Sequence, residues 1–187
     1  RRRWNKAGYK NLNLSLQYEI MIQCFANITF LAIPAILMAN NSTNSIAISE
    51  LIGVGLWATW FVLEHISDLQ KQQFLKKAFL EKKKKQVCNV GFWKYTRHPN
   101  YFSEWMVWNA MIIASLSSLI IAFSTDQQVV WIIIVVGLFY ISYIMYTTLV
   151  YYTGAVPSEF YTLQKRPNYK AYQEQTNMFF PGPKKLN

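Results

Sequence analysis

Long apolar stretches alternate with short polar or basic segments along the chain. Four of these stretches are continuous enough to draw, at residues 20–38, 46–63, 105–123 and 129–150. Because a helix rises about 1.5 Å per residue, each approaches the roughly 20 residues needed to cross a hydrocarbon core about 30 Å thick. The pattern predicts an all-α polytopic transmembrane bundle of four spans, a single membrane domain over residues 1–187.

Charged and apolar residues are segregated. The 187 residues carry a formal net charge of +10, while 52% of them are hydrophobic. All 19 Lys and Arg residues lie outside the four spans, in blocks of five, nine and five within residues 1–10, 71–97 and 165–185. The connections at residues 39–45 and 124–128 contain none. The positive-inside rule then predicts cytoplasmic N and C termini, in an endoplasmic reticulum or bacterial inner membrane.

The basic blocks also indicate which partners to expect. Basic residues confined to one face of a membrane bundle are explained by orientation and by anionic lipid. We therefore expect the lipid bilayer and a lipophilic small molecule as partners, and no nucleic acid. Cys24 and Cys88 show no metal-ligand spacing, so no metal site is expected. The start, Arg1 to Trp4, is typical of the inside flank of an earlier span, as in a fragment of a longer membrane protein.

The stretch GFWKYTRHPNYFSEW at residues 91–105 joins the lysine-rich loop to the third apolar stretch. Pro99 lacks a backbone N–H and suits a first helical turn, so a helix is predicted to start there and run to residue 123. Its positive end would then lie among Arg97, His98 and Asn100. Free N–H groups, the helix dipole and a guanidinium together favour phosphate or carboxylate. An anionic cofactor is expected at this position.

Helical spacing places several of these side chains on one face. Arg97, Asn100 or Tyr101, Glu104 and Trp108 recur at intervals of three and four residues. A carboxylate such as Glu104, one turn inside an apolar helix, is costly unless it is paired, and it therefore usually has a function. The alternative is that Arg97 and His98 face lipid phosphates, with Glu104 as a local counter-charge.

Two further segments contribute candidates. The second span is predicted to continue as one helix to about residue 79, with Glu64, Asp68 and Lys71 along one face; an ordinary solvated helix end is the alternative. A C-terminal amphipathic helix is predicted to start at residues 157–159. Its expected buried face is Phe160, Leu163, Tyr169 and Tyr172.

The segment KYTRHPNYFSE at residues 94–104 resembles the signature of the steroid 5-alpha-reductase-like family of integral membrane proteins. The resemblance is to a functionally obscure branch with an Arg-His-Pro-Asn-Tyr-Phe-Gly-Glu core. Ser103 replaces the usual glycine, and its hydroxymethyl group is expected to narrow a pocket. A shorter Arg-His-Pro-x-Tyr form occurs in isoprenylcysteine carboxyl methyltransferases, so the motif leaves both a nicotinamide cofactor and S-adenosylmethionine open.

What the resemblance implies is an NADPH-dependent reductase that saturates a carbon-carbon double bond of a sterol-like or polyprenyl substrate. Arg97 and Lys71 would hold phosphates, and Glu64 and Trp108 would contact the substrate. Reductases of known activity in the superfamily place a substrate-side Glu or Tyr in earlier spans, so Tyr101 is the remaining candidate here for the proton donor. Gln72 and Gln73 stand where relatives often have arginine, which weakens the phosphate-binding case. The cofactor contacts implied by the resemblance or by the motif are Asp68, Lys71, Arg97, His98, Asn100, Tyr101, Glu104, Glu159, Tyr169 and Tyr172.

Two alternatives remain open. Methyl transfer from S-adenosylmethionine is disfavoured because the similar methyltransferases carry arginine and paired glutamates after their last span, whereas residues 153–159 offer one glutamate and no arginine. The other alternative is a non-catalytic membrane protein that binds lipid or cofactor.

Overall fold

A computed structural model describes residues 12–26, 31–41, 43, 45–83, 86–123, 127–166 and 168–185. Within these ranges the chain is all helical and has no strand. The helices are α1 (Leu12–Ala26), α2 (Ile33–Ala39), α3 (Ile48–Leu80), α4 (Pro99–Ala114), α5 (Leu116–Ile121), α6 (Gln128–Thr147), α7 (Ala155–Lys165) and α8 (Tyr169–Gln175). A 3-10 turn (Gly91–Lys94) precedes α4, and a π turn (Thr148–Tyr152) follows α6.

Helix α3 is the longest element. Its 33 residues correspond to about 50 Å, and its end at Leu80 confirms that one helix continues through the second apolar stretch. The Glu50 side chain accepts a hydrogen bond from the backbone N–H of Ala47 at 3.0 Å, which satisfies a donor that has no partner within the helix. After Leu80 the backbone turns, with Lys82 at a φ of 58°.

Helix α4 begins at Pro99, as the sequence predicts. The expectation of an unbroken helix to residue 123 is wrong, because α4 ends at Ala114 and α5 begins at Leu116. Ser115 forms the break: its hydroxyl donates to the Ile112 carbonyl at 2.8 Å, and its backbone N–H is shared between the Met111 and Ile112 carbonyls. Such side-chain bonds compete with the regular helical ladder.

Helices α3 and α4 form the most extensive contact between elements. They approach closely at Gly53, where an added Cβ would lie 2.5 Å from Ala114. Beyond this crossing, α2, α5 and α6 enclose an apolar core cluster made of Leu37, Leu119, Leu138 and Ile141. The crossing therefore joins the first part of α3 to the end of α4.

Two segments in the described part of the chain are long and apolar enough to cross a membrane, Pro99–Ile121 and Gln128–Lys165. Helix α3 does not qualify, and the first apolar stretch is described as α1 and α2, with residues 27–30 outside the described ranges. Pro34 lies in the first turn of α2. The four-span topology and the cytoplasmic termini stay predictions.

The buried face of the C-terminal region differs from the predicted one. It forms two helices, α7 and α8, and α7 starts at Ala155, two residues before the predicted start. Tyr169 and Tyr172 are buried, but Phe160 and Leu163 are exposed. Glu159 takes the inward position on α7, and successive helical residues point about 100° apart, so Phe160 is turned outward.

The helix crossing gives a test of the packing. Gly53→Ala should destabilise the protein by about 1–3 kcal/mol, because the new methyl group overlaps Ala114. Gly55→Ala is the matched control, since nothing lies within 4 Å of its added Cβ and alanine favours the helix. Thermal unfolding in lipid nanodiscs measures both changes. Equal midpoints for the two variants would contradict the close crossing.

Candidate functional site

The segment before α4 is fixed against α3. The Trp93 side chain is buried, and its indole N–H donates to the Ser67 carbonyl at 2.9 Å. The Gln70 side chain accepts the backbone N–H of Phe92 at 3.0 Å. Gly91 has a φ of 52°, in the left-handed region that glycine tolerates best. These contacts fix the backbone position from which the Arg97 and His98 side chains extend.

The C-terminal segment forms hydrogen bonds with residues 95–97, in the same segment before α4. The backbone N–H of Arg97 donates to the Asn177 carbonyl at 2.9 Å, beside an isolated parallel bridge between Thr96 and Asn177. The Thr96 hydroxyl donates to the Phe179 carbonyl at 2.9 Å, and the Gly182 N–H donates to the Tyr95 carbonyl at 3.1 Å. Residues 95–97 are therefore held by backbone pairing to residues far along the chain.

A buried ion pair lies at the centre of this arrangement. Arg97 Nε donates to Glu159 Oε1 at 2.7 Å and Nη2 donates to Oε2 at 3.2 Å, a bidentate pair in which both side chains are under one-tenth exposed. Arg97 Nη1 donates to the Gln173 carbonyl at 2.8 Å and to the Thr176 carbonyl at 2.5 Å. Four of the five N–H donors that a guanidinium carries are thus occupied within the protein.

The same carboxylate binds two further side chains. His98 Nε2 lies 3.0 Å from Glu159 Oε1, and Gln173 Nε2 donates to Glu159 Oε2 at 2.5 Å. Burial lowers the pKa of His98, and the Glu159 carboxylate opposes that shift without overcoming it. The His98 ring stacks on Tyr101, with ring centroids 5.3 Å apart. Glu159 therefore joins the start of α4 to helices α7 and α8.

A small positively charged cavity, called here the cationic cavity, lies beside the ion pair. Its volume is about 60 Å³. Lys71 reaches it from α3, with Nζ 4.4 Å from the centre of the Trp93 ring, and burial lowers the pKa of Lys71. The lining residues are Lys71, Val87, Cys88, Trp93, Arg97, His98, Ser158, Thr162, Arg166, Tyr169 and Tyr172. Because Glu159 already neutralises Arg97, the positive charge of the cavity comes from Lys71 and Arg166, which form no ion pair within the described part of the chain.

Comparison with known proteins identifies the family of this chain. The family model described as protein of unknown function (DUF1295) matches residues 1–176. The chain belongs to the DUF1295 family. This is a steroid 5-alpha-reductase-like membrane family, in agreement with the resemblance seen in the motif. No curated protein and no solved structure matches the chain.

In this DUF1295 protein the expected site residues fall into separate groups. Arg97, His98 and Glu159 form the ion-pair cluster, and Lys71, Tyr169 and Tyr172 line the adjacent cavity. The Tyr172 hydroxyl donates a hydrogen bond to the Trp93 carbonyl, so Tyr172 also stabilises the fold. The expectation that Arg97 offers a free guanidinium to phosphate needs correction, because that group is already bound to Glu159 and two backbone carbonyls.

The remaining candidates lie elsewhere on α3 and α4. Burial, together with the nearby Glu104 and Asp68 carboxylates, raises the pKa of Glu64 to about 7. Asn100 is partly buried, and its side-chain oxygen has no hydrogen-bond partner among the described residues. Trp108 is partly buried on α4. The predicted contact of these side chains with a cofactor or substrate stays a prediction.

Several lining residues of the cationic cavity carry no signal in the sequence. Arg166 follows the last residue of α7 and Cys88 lies in the loop after α3, so neither shares a motif with Lys71. The hydroxyl residues Ser158 and Thr162 are four apart on α7, which is a common pairing on any helix. Only the tertiary fold brings these side chains together.

The buried His98 predicts an acid-sensitive stability. Its folded-state pKa lies below its ordinary value near 6.5, so this site binds more protons in the unfolded chain, and the contribution of His98 to stability should fall as pH drops below about 6.5. The slope is at most about 1.4 kcal/mol per pH unit for one group. Thermal unfolding between pH 7.5 and pH 5 should show that the stability of the parent falls relative to that of His98→Gln as the pH drops.

Two comparisons isolate this effect. Glu64 contributes the opposite slope, because its raised pKa favours the folded state as pH falls, and it is unchanged in the variant. His65→Gln removes an exposed histidine on α3 and should leave the pH profile of the parent intact. A parent and a His98→Gln variant with the same pH profile would contradict the assignment.

Proposed function

We propose that this protein is a membrane oxidoreductase that uses NADPH to reduce a carbon-carbon double bond of a lipid-soluble substrate. The observation that carries the proposal is the cationic cavity, where Lys71 and Arg166 supply positive charge beside the hydroxyls of Ser158 and Thr162. Such a set of donors suits a phosphate group. Membership of a steroid 5-alpha-reductase-like family supports the choice of a nicotinamide dinucleotide.

The size of the cavity limits what it would hold. Complete small-molecule sites occupy roughly 300–1,000 Å³, whereas this cavity measures about 60 Å³. It would therefore take one phosphate group, with the rest of the dinucleotide outside it. Lys71 and Arg166 would bind that phosphate directly. Arg97 would contribute mainly by keeping Glu159 occupied, so that no free carboxylate repels the anion.

A group other than the nicotinamide cofactor must donate the proton for the reduction. NADPH supplies a hydride when bound. A general acid works best when its pKa lies near the operating pH, and the Glu64 carboxyl, with a pKa of about 7, meets this condition. Glu64 therefore joins Tyr101 as a candidate donor, and its neighbour Glu104 helps to keep its proton in place.

Ligand-dependent stability distinguishes this proposal from the alternatives. Full-length protein in lipid nanodiscs is titrated with NADPH or with S-adenosylmethionine, and thermal unfolding is followed. At a hundredfold excess over the dissociation constant, NADPH should add about 2.7 kcal/mol of stability. Lys71→Met and Arg166→Met should each weaken NADPH binding about tenfold or more, because each removes a charge from the cavity. Lys76→Met, an exposed lysine on the same helix, is the matched control.

Other outcomes have equally clear meanings. Stabilisation by S-adenosylmethionine alone would favour methyl transfer and overturn the reductase proposal. If neither compound stabilises the protein, the remaining hypothesis is a non-catalytic lipid-binding protein. An equal loss of NADPH affinity in Lys76→Met and Lys71→Met would show that binding is general attraction to basic residues.

A further inference from the structure

Helix α7 carries a stripe of apolar side chains that the described part of the chain leaves largely uncovered. Val156, Phe160 and Leu163 are 43%, 60% and 41% exposed. Their spacing of four and three residues places them along one side of the helix, called here the α7 stripe. The sequence predicts burial of Phe160 and Leu163, and an apolar stripe on a helix usually marks the side that leaves water. The α7 stripe therefore needs a partner.

A different face of α7 belongs to the protein interior. Ala155 and Glu159 are buried, and Ser158 and Thr162 line the cationic cavity. Glu159 on this face forms the bidentate ion pair with Arg97. One helix of 11 residues thus separates the ion-pair cluster from the apolar partner of the α7 stripe.

The position of α7 along the chain brings it to the membrane surface. Helix α6 belongs to a segment long and apolar enough to cross a membrane, and its 20 residues correspond to about 30 Å, the thickness of a hydrocarbon core. The regular helix ends there, because the π turn Thr148–Tyr152 follows at once. An added Cβ at Gly154 would overlap the Leu149 carbonyl oxygen, so the backbone turn before α7 requires glycine. Helix α7 therefore starts where the hydrocarbon core ends.

The side chains around the α7 stripe suit the surface of a bilayer. Lys165 is exposed in the last turn of α7, and Lys170 is exposed on α8. Basic side chains near a leaflet are attracted to its anionic lipids. Tyr151 and Tyr152 are exposed just before α7, and tyrosine is enriched at the membrane–water interface. Apolar, aromatic and basic groups thus occur together at this end of the chain.

We propose that α7 lies in the surface of the bilayer, with Val156, Phe160 and Leu163 inserted among the lipids. The partner is an anionic lipid surface: the basic residues contact its headgroups, and the α7 stripe enters the boundary between headgroups and acyl chains. Phe160 is next to Glu159 in the sequence, so the lipid contact supports the orientation of the helix that completes the ion pair. The proposal does not depend on NADPH or on any ligand of the cationic cavity.

Spin-label accessibility tests where the α7 stripe lies. Full-length protein with Cys24→Ser and Cys88→Ala is labelled at Phe160→Cys or Leu163→Cys in nanodiscs that contain anionic lipid. Electron paramagnetic resonance measures collisions of each label with oxygen, which concentrates in hydrocarbon, and with a water-soluble nickel chelate. Lys165→Cys is the matched control, because this exposed residue lies about 140° around the same helix from Phe160. The oxygen-to-nickel ratio should be several-fold higher at both stripe positions than at the control.

Two results would overturn the proposal. Equal ratios at Phe160→Cys and Lys165→Cys would place the α7 stripe in water. A label at Phe160→Cys that neither reagent reaches would show that protein, such as a second copy of the chain, covers the stripe. Ile133→Cys, at a 65% exposed position on α6, gives the reference value for acyl chains. Leu163→Cys provides the same reading if Phe160→Cys does not fold.

Discussion

The structure depends on a buried ion pair between Arg97, just before α4, and Glu159 on α7. Removing one partner from such a pair typically costs about 3–5 kcal/mol, because it leaves an unpaired charge in a poorly solvated place. Here the pair is completed by His98, Gln173 and backbone carbonyls, so its hydrogen-bonding capacity is largely satisfied. Long side chains from distant parts of the chain meet at a single carboxylate, which makes their arrangement mutually dependent.

This constraint also organises the charges around it. With Arg97 neutralised, the cationic cavity owes its excess charge to Lys71 on α3 and Arg166 after α7. The C-terminal segment pairs with residues 95–97, and Arg97 of this stretch lines the same cavity. The same pairing brings Pro181 to a second cavity, of about 280 Å³, whose described lining contains no charged side chain. One set of contacts therefore positions two cavities of opposite character beside a single short segment.

Local signals in the sequence were sufficient for part of this architecture. Pro99 has a fixed backbone angle and no N–H, so the start of α4 could be predicted, and helical periodicity extended α3 close to its true end. The break at Ser115 could not be predicted, because serine is also tolerated inside helices. The partner of Arg97 lies 62 residues away, and no periodicity connects such positions. The motif indicates that Arg97 is a candidate site residue, but the burial of the Arg97 side chain determines which groups it binds.

A double-mutant cycle on Arg97→Gln and Glu159→Gln in lipid nanodiscs tests the central claim most directly. Contacting buried groups show coupling free energies of about 0.5–3 kcal/mol, and we expect a value near the upper end, with the double variant more stable than the sum of the single losses implies. Glu174→Gln, an exposed glutamate on α8, should show no coupling to Arg97→Gln. Additive effects at Arg97 and Glu159, within about 0.5 kcal/mol, would contradict the ion pair as the organising interaction.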